Sequence, residues 1–154
     1  MENLSHITEK RLFPDLEGFA RRHAHDKPFP VPDYMILGHQ AYQRQEYEEA
    51  ILNYTKAIHW KPDDANAFFW RGQAKVSIQQ YKEAVDDFDE VLSIGDKVVS
   101  VYQIRGYAKS RLGLNSEAKE DYSKGLQLAQ QTNNEKYIKI FQEALRELNS
   151  DTTV

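Results

Sequence analysis

The chain has 154 residues and a formal net charge of −4, from 20 basic and 24 acidic residues, which argues against a protein that binds nucleic acid mainly by neutralising phosphates. Its 40% hydrophobic and 29% charged residues are typical of one soluble domain of ordinary size. The absence of cysteine excludes disulfides, thiolate metal sites and a cysteine nucleophile.

Residues 1–30 form a predicted leader. Pro14 suits the first turn of a short helix that reaches about Ala24, and the repeated prolines of residues 27–32 favour an extended linker after it. Three interpretations of the leader stay open: a cap packed on the next segment, an arm that binds a partner, or a disordered segment. Residues 1–11 lack the apolar core of a signal peptide and no apolar run reaches membrane-spanning length, so we expect a cytoplasmic protein that does not enter a membrane.

Three copies of one pattern follow the leader, 34 residues apart, over residues 31–64, 65–98 and 99–132. The repeated positions hold a glycine, an alanine, an aromatic and an aliphatic residue: Gly38, Gly72 and Gly106; Ala50, Ala84 and Ala118; Tyr54, Phe88 and Tyr122; Ile58, Leu92 and Leu126. Each unit predicts two amphipathic helices joined by a short turn, near residues 45–46, 79–80 and 113–115. Because such a hairpin cannot bury its own apolar face, it must stack on its neighbours.

A last helix is predicted over residues 133–149, with Thr132 or Asn133 as its cap. Its apolar residues are Tyr137, Ile138, Ile140, Phe141, Leu145 and Leu148. We expect it to cover the open face of the third hairpin, as solenoid ends require. Residues 150–154 are predicted to be a frayed tail. Its final Thr-Thr-Val resembles peptides that PDZ domains capture, but three residues are most simply an accident.

The repeated residues resemble the signature of the tetratricopeptide repeat family, which is Leu-Gly before a Tyr, then an Ala, an aromatic residue, a second Ala and a Pro. The matching residues are Leu37, Gly38, Tyr47, Ala50, Tyr54, Ala57 and Pro62; Gly72, Tyr81, Ala84 and Phe88; Gly106, Ala118 and Tyr122. The departures are Arg71 and Arg105 for Leu, Val91 and Gly125 for the second Ala, and Asp96 and Gln130 for Pro. The resemblance covers roughly residues 31–130 and implies an all-α solenoid of antiparallel helix hairpins in a right-handed superhelix.

In that family the first helix of each hairpin lines a concave groove, so the resemblance implies a partner-binding groove in this chain. Its residues would be Met35, Ile36, His39, Tyr42, Phe69, Trp70, Gln73, Val76, Gln103, Ile104, Tyr107 and, at a mixed edge, Arg111. Large rigid side chains such as Phe69, Trp70 and Tyr107 are typical of binding hot spots, and a hydrophobic peptide or helix is the expected guest. Two alternatives stay open: some of these residues pack on neighbouring helices, or the leader fills the groove.

Some members of the family bind chaperone tails through a carboxylate clamp made of Lys, Asn and Arg side chains. The matching positions here hold Met35, His39, Trp70, Ser100 and Ile104. Because they provide no cationic fork for a terminal carboxylate, we expect no binding of chaperone tails by that route.

The other polar residues indicate structural roles. Arg71 and Arg105 precede two of the repeated glycines, and we expect them to form ion pairs with acidic residues of the second helices: Asp86, Asp87, Glu120 or Asp121. The acidic residues 86–90 could attract a cation, but a solvated convex face is the simpler interpretation.

No metal, cofactor or catalytic site is predicted. His23 and His25 are too close in sequence to share a helix face, while His39 and His59 are isolated. The seven dispersed glycines form no phosphate-binding loop, and no serine lies in a nucleophile-elbow sequence. We therefore expect a scaffold or adaptor, not an enzyme, that binds a protein or peptide partner. The alternative is a self-associating structural protein whose groove is filled by its own leader or that of a neighbouring copy.

Overall fold

The computed structural model describes residues 33–95 and 98–150 of the chain. These residues form seven helices and no strand: α1 (Tyr34–Gln43), α2 (Tyr47–Trp60), α3 (Ala65–Ser77), α4 (Tyr81–Ile94), α5 (Val99–Arg111), α6 (Asn115–Gln131) and α7 (Glu135–Ser150). Each helix packs on the next one along the chain, and α3 also contacts α5. The predicted all-α solenoid of helical hairpins is thus confirmed. The leader, with its predicted short helix, and residues 151–154 lie outside the described residues.

Two aspartates set where the first two hairpins begin. Asp33 accepts hydrogen bonds from the amides of Met35 at 3.0 Å and Ile36 at 3.2 Å. Asp64 accepts one from the amide of Asn66 at 3.0 Å. Both carboxylates satisfy amides that have no partner inside the helix, and so fix the starts of α1 and α3.

A residue with left-handed backbone follows the first helix of every hairpin. The φ angle is 63° at Gln45, 62° at Gln79 and 78° at Gly113. The next amide then donates to a carbonyl five residues back, as from Glu46 to Ala41 at 3.0 Å. This closure satisfies the last carbonyls of the helix and turns the chain sharply.

Glycine in one helix of each hairpin faces a buried aromatic ring in the next helix. The pairs are Gly38 with Tyr54, Gly72 with Phe88 and Gly106 with Tyr122, and α6 and α7 add Gly125 with Phe141. A methyl group at Gly106 would lie 2.6 Å from the ring of Tyr122. The repeated glycine is therefore required by close helix packing, and the partners are 16 residues apart in all four pairs.

Three apolar clusters follow one another along the array. Their buried residues are Ala41, Ala50, Tyr54 and Ala74; Ala65, Phe68, Ala84, Phe88, Val91 and Val101; Ala118, Tyr122, Ala129, Phe141 and Leu148. The third cluster joins α7 to α6.

The start of α7 differs from the prediction. Thr132 ends α6, and Asn133 has a left-handed φ of 51°, so neither caps α7. Asn134 takes that place, and its side-chain oxygen lies 3.4 Å from the amide of Tyr137. At the other end, Ser150 belongs to α7 and not to the tail, since its hydroxyl donates to the carbonyl of Glu147 at 2.7 Å.

The predicted ion pairs of Arg71 and Arg105 are confirmed for two of the four proposed acids. Arg71 lies 2.6 Å from the carboxylate of Asp87, and Lys75 lies 2.8 Å from it. Asp121 is held in the same way, by Arg105 and Lys109. Each buried carboxylate of a second helix is therefore tied to two cations of the first helix in the same hairpin.

The interpretation of residues 86–90 as a solvated face is wrong for Asp87, whereas Asp86, Asp89 and Glu90 are exposed. Asp87 is only 2% exposed, because its side chain faces α3, where its carboxylate contacts Arg71 and Lys75. Asp89 pairs with Arg105 of the following hairpin. Arg71 similarly reaches back to the hydroxyl of Thr55, at 3.3 Å. These arginines thus connect successive hairpins as well as the two helices of one hairpin.

Candidate functional site

A depression of about 400 Å³, which we call the α7 pocket, lies among α3, α5, α6 and α7. Its lining residues are Gln73 and Val76 of α3, Gln103, Ile104 and Tyr107 of α5, Tyr122 of α6, and Ile140, Glu143, Ala144 and Glu147 of α7. The structure therefore brings five of the twelve predicted groove residues together in one concave surface.

Tyr107 is the most accessible aromatic group of the α7 pocket. It is 44% exposed, and its ring meets that of Tyr81 edge-on with centroids 6.1 Å apart. Tyr122 lies deeper and is almost completely buried. Burial raises the pKa of the Tyr122 hydroxyl, a hydrogen bond with Ser110 lowers it, and the negative charge of Glu147 raises it again. The pocket thus has an apolar floor and an acidic wall.

Four other predicted groove residues pack mainly on each other. The ring of His39 lies 4.8 Å from that of Trp70, and the centroid of Tyr42 lies 5.8 Å from the same indole. Phe69 completes the cluster at 5.7 Å from Trp70. The alternative that some groove positions are packing residues therefore applies here.

A hydrogen bond anchors this aromatic cluster to the core. The hydroxyl of Tyr54 and Nδ1 of His39 are 2.8 Å apart. Burial raises the pKa of Tyr54, and the neighbouring Tyr42 raises it further, so the hydroxyl stays protonated. His39 is therefore held in place by Tyr54, a core side chain. This contact gives a structural role to a histidine that has no catalytic or metal-binding partner in the sequence pattern.

A second, smaller depression of about 230 Å³ lies where α3, α4 and α5 meet. Phe69 and Trp70 line it together with Ala65, Asn66, Val91, Val98, Ser100 and Val101. It shares no residue with the α7 pocket. Phe69 and Trp70 therefore line a different depression from Tyr107, and a single hot spot made of all three residues stays a prediction.

The remaining three predicted residues line neither depression. Met35 packs against the first apolar cluster. Ile36 is 53% exposed, and the guanidinium of Arg111 lies 5.8 Å from the ring centroid of Tyr81. These three residues are thus placed around the lined surfaces and not inside them.

The contribution of α7 to the pocket was not predicted from the sequence, in which this helix was expected only to cover the third hairpin. Phe141 and Leu148 of α7 are buried in the third apolar cluster, while Ile140, Ala144 and Glu147 line the pocket, with Ala144 also packed against that cluster. Their spacing of four and three residues is the available signal, since such positions share one side of a helix. A cap can therefore also be a wall of the site.

Within residues 33–95 and 98–150, no three histidine, aspartate or glutamate side chains converge as ligands for a metal ion. None of the seven described helices has the length and apolar character to span a bilayer.

Comparisons with known proteins agree on one family. A model described as TPR repeat matches residues 38–78, and one described as tetratricopeptide repeat matches residues 99–132. No curated protein sequence matches the chain. The TPR2B domain of yeast Sti1, solved in a pHsp70 complex, has a TM-score of 0.71 and 17% identity, over 77% of this chain and 94% of that one.

Two further solved structures share the fold at higher identity. The second TPR domain of human RPAP3, solved with the HSP70 peptide SGPTIEEVD, has a TM-score of 0.65 and 26% identity, over 73% of this chain and 92% of that one. The Arabidopsis OM64 TPR domain has a TM-score of 0.68 and 25% identity, over 77% and 93%. Two repeat models match the sequence, each of the three hairpins packs a glycine against an aromatic ring, and the fold is shared with these solved structures. The chain therefore belongs to the tetratricopeptide repeat family.

Proposed function

We propose that this chain is a protein interaction module that binds a segment of a partner protein in the α7 pocket, with an apolar side chain as the anchor. The observation that carries the proposal is the exposed Tyr107, which lines a depression of about 400 Å³ together with Val76 and Ile104. A concave apolar surface with a few polar groups is the usual form of a ligand site. Tyrosine is also enriched among residues that carry binding energy.

The polar lining suits a peptide backbone. Gln73 and Gln103 line the pocket together with its apolar residues. An amide can donate and accept hydrogen bonds, which matches the alternating groups of an extended chain or a helix end. The solved structures of yeast Sti1 and human RPAP3 contain Hsp70-derived partners, which supports a peptide as the class of ligand.

A chaperone tail is the wrong peptide for this chain. The five positions that would form a carboxylate clamp hold Met35, His39, Trp70, Ser100 and Ile104. Of these, His39 and Trp70 are occupied with each other and with the core. We therefore expect SGPTIEEVD, the peptide in the human RPAP3 complex, not to bind.

The test is a selection of random short peptides displayed on phage, with wild-type protein and a Tyr107→Ala variant as targets. We expect wild-type protein to enrich peptides that bind the variant at least about tenfold more weakly, because an anchor residue contributes more than about 1.4 kcal/mol. Circular dichroism checks that both proteins are equally helical.

The matched control is Trp60→Ala, which removes another exposed aromatic group outside both depressions. Trp60 is 51% exposed at the end of α2. Peptides that bind wild-type protein and both variants equally would contradict the proposed site, whereas recovery of SGPTIEEVD-like acidic tails would contradict only the expectation that chaperone tails do not bind.

A further inference from the structure

The α7 pocket carries a negative charge with no cation in its lining. Glu143 and Glu147 are four residues apart on α7, so both side chains lie on the same side of that helix. The other eight lining residues are apolar or uncharged polar groups. Arg111 lies outside the lining, over the ring of Tyr81.

The two carboxylates are weakly engaged within the described part of the chain. Glu143 lies 3.4 Å from Arg146, with the two side chains 65% and 76% exposed. An ion pair this exposed contributes little, so a partner can replace it at small cost. No lysine or arginine of residues 33–95 and 98–150 comes within 4.0 Å of the Glu147 carboxylate.

Other carboxylates of the array contrast with this pair. Asp87 and Asp121 are each held by an arginine and a lysine, and Asp89 is held by an arginine. These acids are neutralised by the fold itself. Glu147 has no such cation among the described residues. The pKa of the Tyr122 hydroxyl at the pocket floor is raised mainly by burial, and the negative charge of Glu147 raises it further.

Charge and shape together restrict the ligand. A lysine or arginine that approaches the wall of α7 gains attraction to two carboxylates, while an acidic segment meets repulsion. The aliphatic stem of the same side chain can lie along Ile140 and Ala144. An apolar neighbour of that residue then reaches Val76 and Ile104.

We infer that the α7 pocket takes a basic segment of a partner protein, in which a lysine or arginine faces Glu143 and Glu147 beside an apolar anchor on Tyr107. This inference rests on the proposed function and specifies the chemistry of its ligand. It is opposite in charge to the acidic HSP70 peptide in the human RPAP3 structure.

The experiment uses the displayed peptides that depend on Tyr107 and a Glu143→Gln/Glu147→Gln variant of the full chain. We expect those peptides to be enriched in lysine and arginine, and to bind the variant about tenfold more weakly at low salt, since two charge attractions are lost. Raising the salt concentration should weaken binding to wild-type protein and have little effect on the residual binding of the variant.

Two further variants make the result specific. Asp86→Asn/Glu120→Gln removes the same number of charges from exposed positions outside the pocket, and should leave affinity unchanged. Glu143→Lys/Glu147→Lys reverses the wall charge and should select acidic peptides in place of basic ones, a gain that misfolding cannot produce.

The outcomes distinguish an error in the proposed binding site from an error in the proposed basic ligand. Peptides that depend on Tyr107 but lack basic residues, or bind the glutamine variant as well as wild-type protein, would overturn the basic ligand and leave the binding site standing. If no selected peptide depends on Tyr107, both the site and its ligand class are wrong.

Discussion

Gly125 is the residue at which the family pattern and the packing of this chain disagree. The family signature has an alanine at this position, and Ala57 fills it in the first hairpin. In this chain a methyl group at Gly125 would overlap the ring of Phe141, which is fully buried. Restoring the family residue should therefore harm the fold.

We expect Gly125→Ala to lower the free energy of unfolding by about 1 to 2 kcal/mol in total, because the clash with a buried ring puts the cost of overpacking near the upper end of the usual range of about 1 to 3 kcal/mol. This cost exceeds the gain of about 1 kcal/mol that alanine brings to a helix interior. Chemical denaturation monitored by circular dichroism measures the difference. Ser123→Ala, an exposed site on the same helix, is the control and should be neutral or slightly stabilising. A more stable Gly125→Ala protein would show that α7 can move away from α6.

The sequence reveals some individual residues better than others. The glycines at 38, 72 and 106 could be predicted as packing residues because they repeat with their aromatic partners. Gly125 lies outside that period, so only the position of Phe141 explains it. Likewise, a left-handed backbone at Gln45 and Gln79 is invisible in the residue type, since glutamine rarely adopts it.

At the scale of helices, Asp87 joins α3 to α4. Its carboxylate is nearly inaccessible and contacts both Arg71 and Lys75, which are themselves only 17% and 14% exposed. Without that carboxylate, two poorly solvated cations would face each other. The interface between the two helices therefore depends on one negative charge.

We expect Asp87→Asn to lower the free energy of unfolding by about 3 kcal/mol, the cost of breaking a buried ion pair from one side. Asp86→Asn removes the preceding, exposed charge of the same helix and is the matched control. Its effect should stay within about 0.5 kcal/mol. Equal effects of the two substitutions in urea denaturation would contradict a special role for Asp87.

The sequence predicts which segments form helices, but it does not predict the role of the less apolar face of α7. Periodic apolar residues predict all seven described helices, because burial of one stripe governs helix formation. The same reasoning assigns α7 a single role, since only its most apolar stripe is visible in the pattern. Glu143 and Glu147 look like ordinary solvent-facing residues until the position of α5 and α3 opposite them is known.

For the whole molecule, packing between neighbours dominates. The described helices contact mainly the next helix along the chain, and α3 with α5 is a smaller contact. Stability in such an array is approximately a sum over adjacent interfaces. Damage at one end should therefore spread only gradually toward the other.

We expect Phe141→Ala to cost about 3 to 5 kcal/mol at the interface of α6 and α7, because a fully buried ring leaves a cavity. Hydrogen exchange measured by mass spectrometry should show faster exchange in α6 and α7, with α1 and α2 little changed. Leu112→Ala, at an exposed site, is the control. A uniform increase over all helices would instead indicate that the array opens as one unit.

The site as a whole was only partly predictable. Repeat columns predict which residues share a face, and Val76, Ile104 and Tyr107 do line one depression. How deeply a side chain is buried depends on how its neighbours pack. The sequence could therefore not distinguish the exposed Tyr107 from Trp70, which packs against His39. Nor could it include the wall of α7, which lies outside the repeat.

The spacing of 16 residues has a consequence for how this chain can change in length. Arg105 reaches Asp89, 16 residues before it, and Asp121, 16 residues after it, while Gly106 needs Tyr122 at the same distance. One residue inserted in the turn after α5 would displace the latter two partners at once, and one inserted after α4 would displace the first. Insertion or deletion of single residues in these turns would therefore break such contacts during evolution. Such an array is expected to lengthen or shorten in whole hairpins, so that duplication, and not gradual insertion, is the step by which its binding surface grows.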